Sequence, residues 1–219
     1  MSLDKKWFVI EGNIGSGKST LCKMLEEQSD NIEVICEPVQ EWKNMFDDNT
    51  SKNLLQVYYE DQNRWGFTFQ LFGLFTRIKD VLFTQTKDLR FVERSIFSYK
   101  NVFTRFLFEK GKISSLEWKM YNEWFDWFSR DIFREENKPN GFIYIRANPQ
   151  TSFNRMLKRE RSEEKCVPID YLIDVNNYHT EWLNSEQNVL IIDVDQDFEN
   201  TPEEWHRIHS LIMDFVNSS

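Results

Sequence analysis

The chain has 219 residues, 40% of them apolar and 16% aromatic, with 36 Asp+Glu against 27 Lys+Arg and a formal net charge of −9. That apolar and aromatic content excludes disorder, and no Pro/Gly/Ser-rich stretch divides the chain, so one domain over 1–219 is predicted. The acidic balance argues against nucleic acid as the main partner, because duplex binding needs a basic face, and no apolar run is long enough to span a membrane.

In chain order, the first element is the apolar run Trp7–Glu11, read as a strand. Directly after it stands Gly12-Asn13-Ile14-Gly15-Ser16-Gly17-Lys18-Ser19, which holds three of the chain's seven glycines. This is the G-x-x-x-x-G-K-[ST] phosphate loop in its strand–loop–helix setting. Successive loop N–H groups and the helix N-terminus form an anion site, from which Lys18 reaches the β/γ-phosphates and the Ser19 hydroxyl ligates Mg²⁺. Thr20, in the same turn, belongs to the phosphate-binding set. A nucleoside triphosphate is the expected ligand.

Further strands are predicted at Glu33–Glu37, Arg90–Arg94, Phe142–Arg146 and Val189–Asp193, separated by helical patterns. That alternation predicts an α/β fold: a five-stranded parallel sheet with helices on both faces. Leu71, Leu74/Phe75, Ile78 and Val81/Leu82 predict a helix over Leu54–Phe83, bent near Trp65-Gly66. A second helix opens with the capping box Ser114-x-x-Glu117 and carries Trp118, Tyr121, Phe125, Phe128 and Ile132 on one stripe. Trp124 and Trp127 widen that stripe enough to serve a subunit interface as well as a core. Pro168 and Pro202 mark helix starts.

Ligands of open α/β sheets bind at the carboxyl ends of strands, where Glu37 and Glu93 are predicted to lie. One carboxylate there can help hold Mg²⁺ while the other accepts a proton from an attacking hydroxyl. The guanine-reading N-K-x-D is absent, Asn137-Lys138-Pro139-Asn140 failing at its last position, and no D-x-x-G occurs, which argues against a GTPase switch. Arg155, Lys158, Arg159 and Arg161 crowd four cations into seven residues and read as a lid over about 155–166 that closes on the phosphates. Cys22, Cys36 and Cys166 form no C-x-x-C pair and read as free thiols in a reducing compartment. The cytoplasm is expected, with nucleus and mitochondrion open; residues 1–6 hold no signal-peptide core.

The phosphate loop, Glu37-Pro38-Val39, Arg64-Trp65-x-Phe67-Thr68-Phe69-Gln70, Glu93-Arg94-Ser95 and Arg159-x-Arg161-Ser162-Glu163-Glu164 follow one another in this order. In these motifs the chain resembles the deoxyribonucleoside kinases, the branch holding deoxycytidine, deoxyguanosine, mitochondrial thymidine and insect multisubstrate kinases. The resemblance implies a P-loop kinase fold, a homodimer, and transfer of phosphate from ATP or another nucleoside triphosphate, with Mg²⁺, to the 5′-hydroxyl of a deoxyribonucleoside. It makes Glu37 the base for that hydroxyl, Arg94 its orienting partner, Ser19 and Glu93 the magnesium positions, and Arg155, Arg159 and Arg161 the lid arginines. It places Tyr59 and Glu164 on the 3′-hydroxyl and Gln70 on the base edge. Ile14, Trp42, Leu55, Phe69 and Phe103 become apolar walls, and Asp197-Phe198 the loop near the donor base.

Two departures bear on the base. The resemblance pairs Arg77 with an aspartate at the position that is Tyr99 here, and Gly73 stands where the pocket floor is often alanine or larger. Arg77 is therefore expected to face the base, favouring deoxycytidine or a purine over thymidine. Two other readings are a thymidylate-type monophosphate kinase, which would place a cation rather than Glu37 at the acceptor, and a nucleotide-dependent binding switch without turnover.

Overall fold

The computed structural model describes residues 5–81, 85–131 and 138–219. Leu82, Phe83, Ile132 and Asn137, named above, lie outside them. Five strands, β1 (Lys6–Glu11), β2 (Ile32–Ile35), β3 (Leu89–Glu93), β4 (Gly141–Arg146) and β5 (Val189–Asp193), form one parallel sheet in the order β2-β3-β1-β4-β5. The chain therefore has the predicted α/β architecture. Alternation along β1 divides the interior into two cores. Phe8 and Ile10 pack with Leu21 and Leu25 of α1 (Lys18–Glu26) and with Ile208 and Ile212 of α10 (Pro202–Ser218). Val9 on the other face packs with a larger, aromatic-rich cluster.

That second cluster is built from α2 (Val39–Lys43), α3 (Leu54–Glu60), α4 (Gln62–Val81), α7 (Ser115–Asp131) and α9 (Ile169–Ser185). The connection after β3 runs through a short helix α5 (Ile96–Ser98), a π-helical turn at Tyr99–Thr104 and α6 (Arg105–Glu109). Helix α8 (Pro149–Lys158) follows β4 and leads into a 3₁₀ turn at Ser162–Glu164. Pro202 starts α10 and Pro168 caps α9, as predicted.

Two boundaries differ from expectation. The helix predicted over Leu54–Phe83 breaks at Asp61, which leaves helical geometry at φ −142° and ψ 81°, and α4 runs unbroken through Trp65-Gly66. The Asp61 carboxylate accepts from the Arg64 N–H at 3.1 Å and so starts the second helix where the first ends. Strand β2 stops at Ile35, so Glu37 stands two residues beyond it, on the loop at the sheet's carboxyl edge.

Candidate active site

The carboxyl ends of β1, β2 and β3 open into a cleft of about 950 Å³. At its floor Gly15, in the left-handed region at φ 77°, lies so close to the Ser152 carbonyl of α8 that any Cβ would collide with it. Asn13 ties the loop to α9, its Nδ2 donating to the Leu172 carbonyl at 2.8 Å, and Phe198 packs over Gly17. Lys18 is buried, with Nζ donating to the Gly12 and Asn13 carbonyls at 3.1 and 2.7 Å. Burial, then the nearby Arg94 charge, lowers its ammonium to about 7. The Ser16 hydroxyl is buried without a partner among the described residues, an orphan that a phosphate oxygen would satisfy.

Ser19 Oγ donates to Glu93 Oε1 at 2.7 Å, and Glu93 Oε2 accepts the Glu37 backbone N–H at 3.2 Å. Arg94 follows Glu93 at φ 62°, a left-handed backbone that turns its side chain out of the strand and over the Phe103 ring, 4.6 Å from the centroid. Two bonds from Ser95, N–H at 2.9 Å and Oγ at 2.6 Å, clamp this turn to the buried Glu11 carboxylate. Arg94 Nε meets Glu37 Oε1 at 3.0 Å, and the Tyr99 hydroxyl donates to the same oxygen at 3.2 Å. Burial alone would push the Glu37 carboxyl up; Arg94 first, then Lys18, Arg77 and the Tyr99 bond, outweigh it and hold the group below its usual range.

Beyond Glu37 the cleft is aromatic. Trp42 meets Phe69 edge-on at 5.3 Å, and Phe69 stacks on Tyr58 at 4.2 Å. Gln70 Nε2 donates to the Tyr58 hydroxyl at 3.2 Å, while its Oε1 is buried with no partner among the described residues. A phosphate loop, a carboxylate–guanidinium pair and a flat aromatic slot ending in a half-satisfied amide thus lie along one cleft.

The sequence profile of the family described as "Deoxynucleoside kinase" matches residues 8–217. The chain belongs to the deoxynucleoside kinase family. "Deoxycytidine kinase 2" of Gallus gallus is 34% identical, over 95% of this chain and 89% of its own. "Thymidine kinase 2, mitochondrial" of Homo sapiens is 34% identical over 91% and 74%, and "Deoxyguanosine kinase, mitochondrial" of Xenopus laevis 30% over 94% and 88%. The protein is an enzyme of this family, a deoxyribonucleoside kinase using a nucleoside triphosphate.

In this kinase Ile14, Thr20, Leu55, Tyr59, Phe103, Glu164, Asp197 and Phe198 also line the cleft. Arg77 does not, which corrects its expected position against the base. Its guanidinium is fully buried behind the wall and donates to the carbonyls of Cys36 at 2.9 Å, Glu93 at 2.7 Å and Arg94 at 2.9 Å. The preference for deoxycytidine or a purine argued from Arg77 loses its basis with it. Gly73 is corrected too: the room it leaves is taken by the Tyr99 ring, against which any Cβ would collide.

The arginines expected on a lid are engaged within the protein. Arg155 donates to the carbonyls of Val194 at 2.8 Å, Asp195 at 3.2 Å and Gln196 at 3.0 Å, and so supports the Asp197-Phe198 loop. Arg159 grips Glu164 with bonds of 2.6 to 3.0 Å, and Arg161 approaches the same carboxylate at 3.5 Å. Glu163, buried, accepts from Asn53 Nδ2 at 2.9 Å and pairs with Lys43 at 3.4 Å. Glu11, Asn53, Tyr58, Glu163 and Tyr171, a cleft residue whose hydroxyl lies 3.5 Å from that of Tyr58, were not expected from sequence. Only the cap-forming Asn53-x-x-Gln56 pattern carried a local signal; the others matter through partners far away in the chain.

Proposed function

We infer that this kinase transfers the γ-phosphoryl group of ATP to the 5′-hydroxyl of a deoxyribonucleoside, with Glu37 as general base. The observation that carries the reading is the Glu37–Arg94 pair, set between the phosphate loop and the aromatic slot. The Arg94 ion pair and the Tyr99 hydrogen bond both fall on Glu37 Oε1, which leaves Oε2 to take the hydroxyl proton. Arg94 Nη1 is buried without a partner among the described residues and supports the attacking oxygen. The Ser19 hydroxyl and Glu93 carboxylate fit Mg²⁺, which takes few protein oxygens and completes its shell with phosphate and water. Bound there, the ion neutralises phosphate charge. The walls Trp42 and Phe69 hold the base for the Gln70 amide, which presents one acceptor and one donor.

Glu37 argues against a monophosphate kinase, since a carboxylate would repel an acceptor phosphate. A coupled assay for ADP release with each of the four natural deoxynucleosides, and with their monophosphates, tests the reading. Glu37→Gln is expected to keep donor binding and lose kcat by about 10²–10⁴-fold. Retention of more than about a tenth of wild-type kcat would show that Glu37 is not the base. We further propose a homodimer through α4 and α7. Cys22, Cys36 and Cys166 are free thiols, which supports a reducing compartment such as the cytoplasm.

A further inference from the structure

We propose that Tyr99 is the positioning residue that fixes the Glu37 carboxylate for catalysis, and that Gly73 exists in α4 to admit its ring. The inference rests on the reading of Glu37 as the base. Three independent features converge on it. The phenol donates to Glu37 Oε1 at 3.2 Å, on the oxygen that Arg94 Nε also holds at 3.0 Å. The ion pair holds this oxygen without fixing its direction, and the phenol's directional bond sets the rotation of the carboxylate, so that Oε2 faces the substrate hydroxyl in a single orientation. With Arg94 alone, the carboxylate can swing about its terminal torsion, which is broad for glutamate.

The second feature is the notch. Tyr99 is buried, and its ring edge lies where a side chain at position 73 would begin, so even alanine would displace the ring from α4. Glycine inside a helix costs roughly 1 kcal/mol relative to alanine, and a 20-residue helix carrying Gly73 well inside it needs a packing reason for that loss. The Tyr99 ring supplies the reason. The third feature is the π-helical turn at Tyr99–Thr104, a widened turn common at functional sites. It sets Tyr99 and Phe103 side by side along the cleft, ring centroids 6.0 Å apart, with Phe103 beneath the Arg94 guanidinium. The one turn thus steadies both partners of Glu37.

Tyr99→Phe keeps the ring, the notch and the packing and removes one hydroxyl. It is expected to lower kcat about three- to tenfold, because the carboxylate stays in place on Arg94 and loses only one of its two anchors, with the nucleoside KM within about twofold of wild type. In a Glu37→Gln background the same substitution should leave the residual rate unchanged within about twofold, because the group it acts through is gone. Gly73→Ala should lower kcat at least as far as Tyr99→Phe in the native chain, and have little effect in a Tyr99→Ala background. If Tyr99→Phe leaves kcat unchanged while Glu37→Gln is crippled, the inference falls and the base assignment stands. If Tyr99→Phe lowers the rate as much with Gln at position 37, the phenol acts elsewhere and the inference also falls. A Glu37→Gln enzyme with near-normal kcat overturns the base assignment itself.

Discussion

A buried guanidinium needs acceptors around it, and Arg77 Nη1 and Nη2 find three carbonyls at the ends of β2 and β3. These carbonyls belong to Cys36, Glu93 and Arg94, so Arg77 holds the two loop ends that carry Glu37 and the Glu93-Arg94 turn. Arg77→Met would strand those acceptors and is expected to cost about 3–5 kcal/mol. In a chain of this length that lowers Tm by roughly 10 °C or more, readable by thermal unfolding. A variant with unchanged Tm and a gain in thymidine phosphorylation would instead return Arg77 to the base pocket. The resemblance implies an aspartate where Tyr99 stands, and the sequence leaves open where the Arg77 guanidinium turns. Carbonyls at the end of a strand have no sequence signature, so this partner set was not legible. Glu37, Glu93 and the phosphate loop were, because each is fixed by its place relative to a strand end.

Helix α3 brings Leu55, Tyr58 and Tyr59 to the cleft wall, and the segment after α8 brings Arg159 and Arg161 to the same cleft. Asn53 joins the two. Its Oδ1 accepts from the Gln56 N–H at 2.9 Å and caps α3, while its Nδ2 holds the buried Glu163 carboxylate. Asn53→Ser keeps a capping oxygen and removes the amide donor, so it separates the two roles. The expected result is an intact α3 with amide hydrogen exchange about tenfold faster over 159–166, the loss of one charge-assisted bond. Unchanged exchange there, with the mutation otherwise silent, would mean that Lys43 alone holds Glu163. The five strands were legible because β-branched and aromatic runs between helical patterns leave little choice of architecture. The break at Asp61 was not foreseen, because Gly66 looks like the weak point of one long helix. Its lack of a side chain instead lets Leu107 approach, with Leu107 Cδ1 lying 3.3 Å from where a Cβ would stand. The π-helical turn has no pattern of its own and could not be read.

On the outer surface, α7 carries two apolar stripes. Trp118, Tyr121, Phe125 and Phe128 turn toward the core, and Leu116, Met120, Trp124 and Trp127 turn outward at spacings of four, four and three. These outward residues and Phe75 of α4 are between 39% and 66% exposed. Phe67 of α4 lies 6.4 Å from Trp124, ring to ring, which joins the two helices into one patch on the order of several hundred Å². A monomer of net charge −9 gains no solubility from such a face, and its two tryptophans are the residue type that dominates interface energies. A second copy fits because an isologous contact lays α4 and α7 against the same helices of the partner, covering both patches with one symmetric surface. The expected mass by sedimentation at micromolar concentration is therefore twice 26.6 kDa. Trp124→Glu with Phe75→Glu would bury charge at that contact and weaken it by about 10²-fold or more, giving monomer at the same concentration. Because both side chains point outward and neither lines the cleft, each subunit should still bind nucleoside. A wild-type chain that sediments near 26.6 kDa would rule out self-association through this face at that concentration.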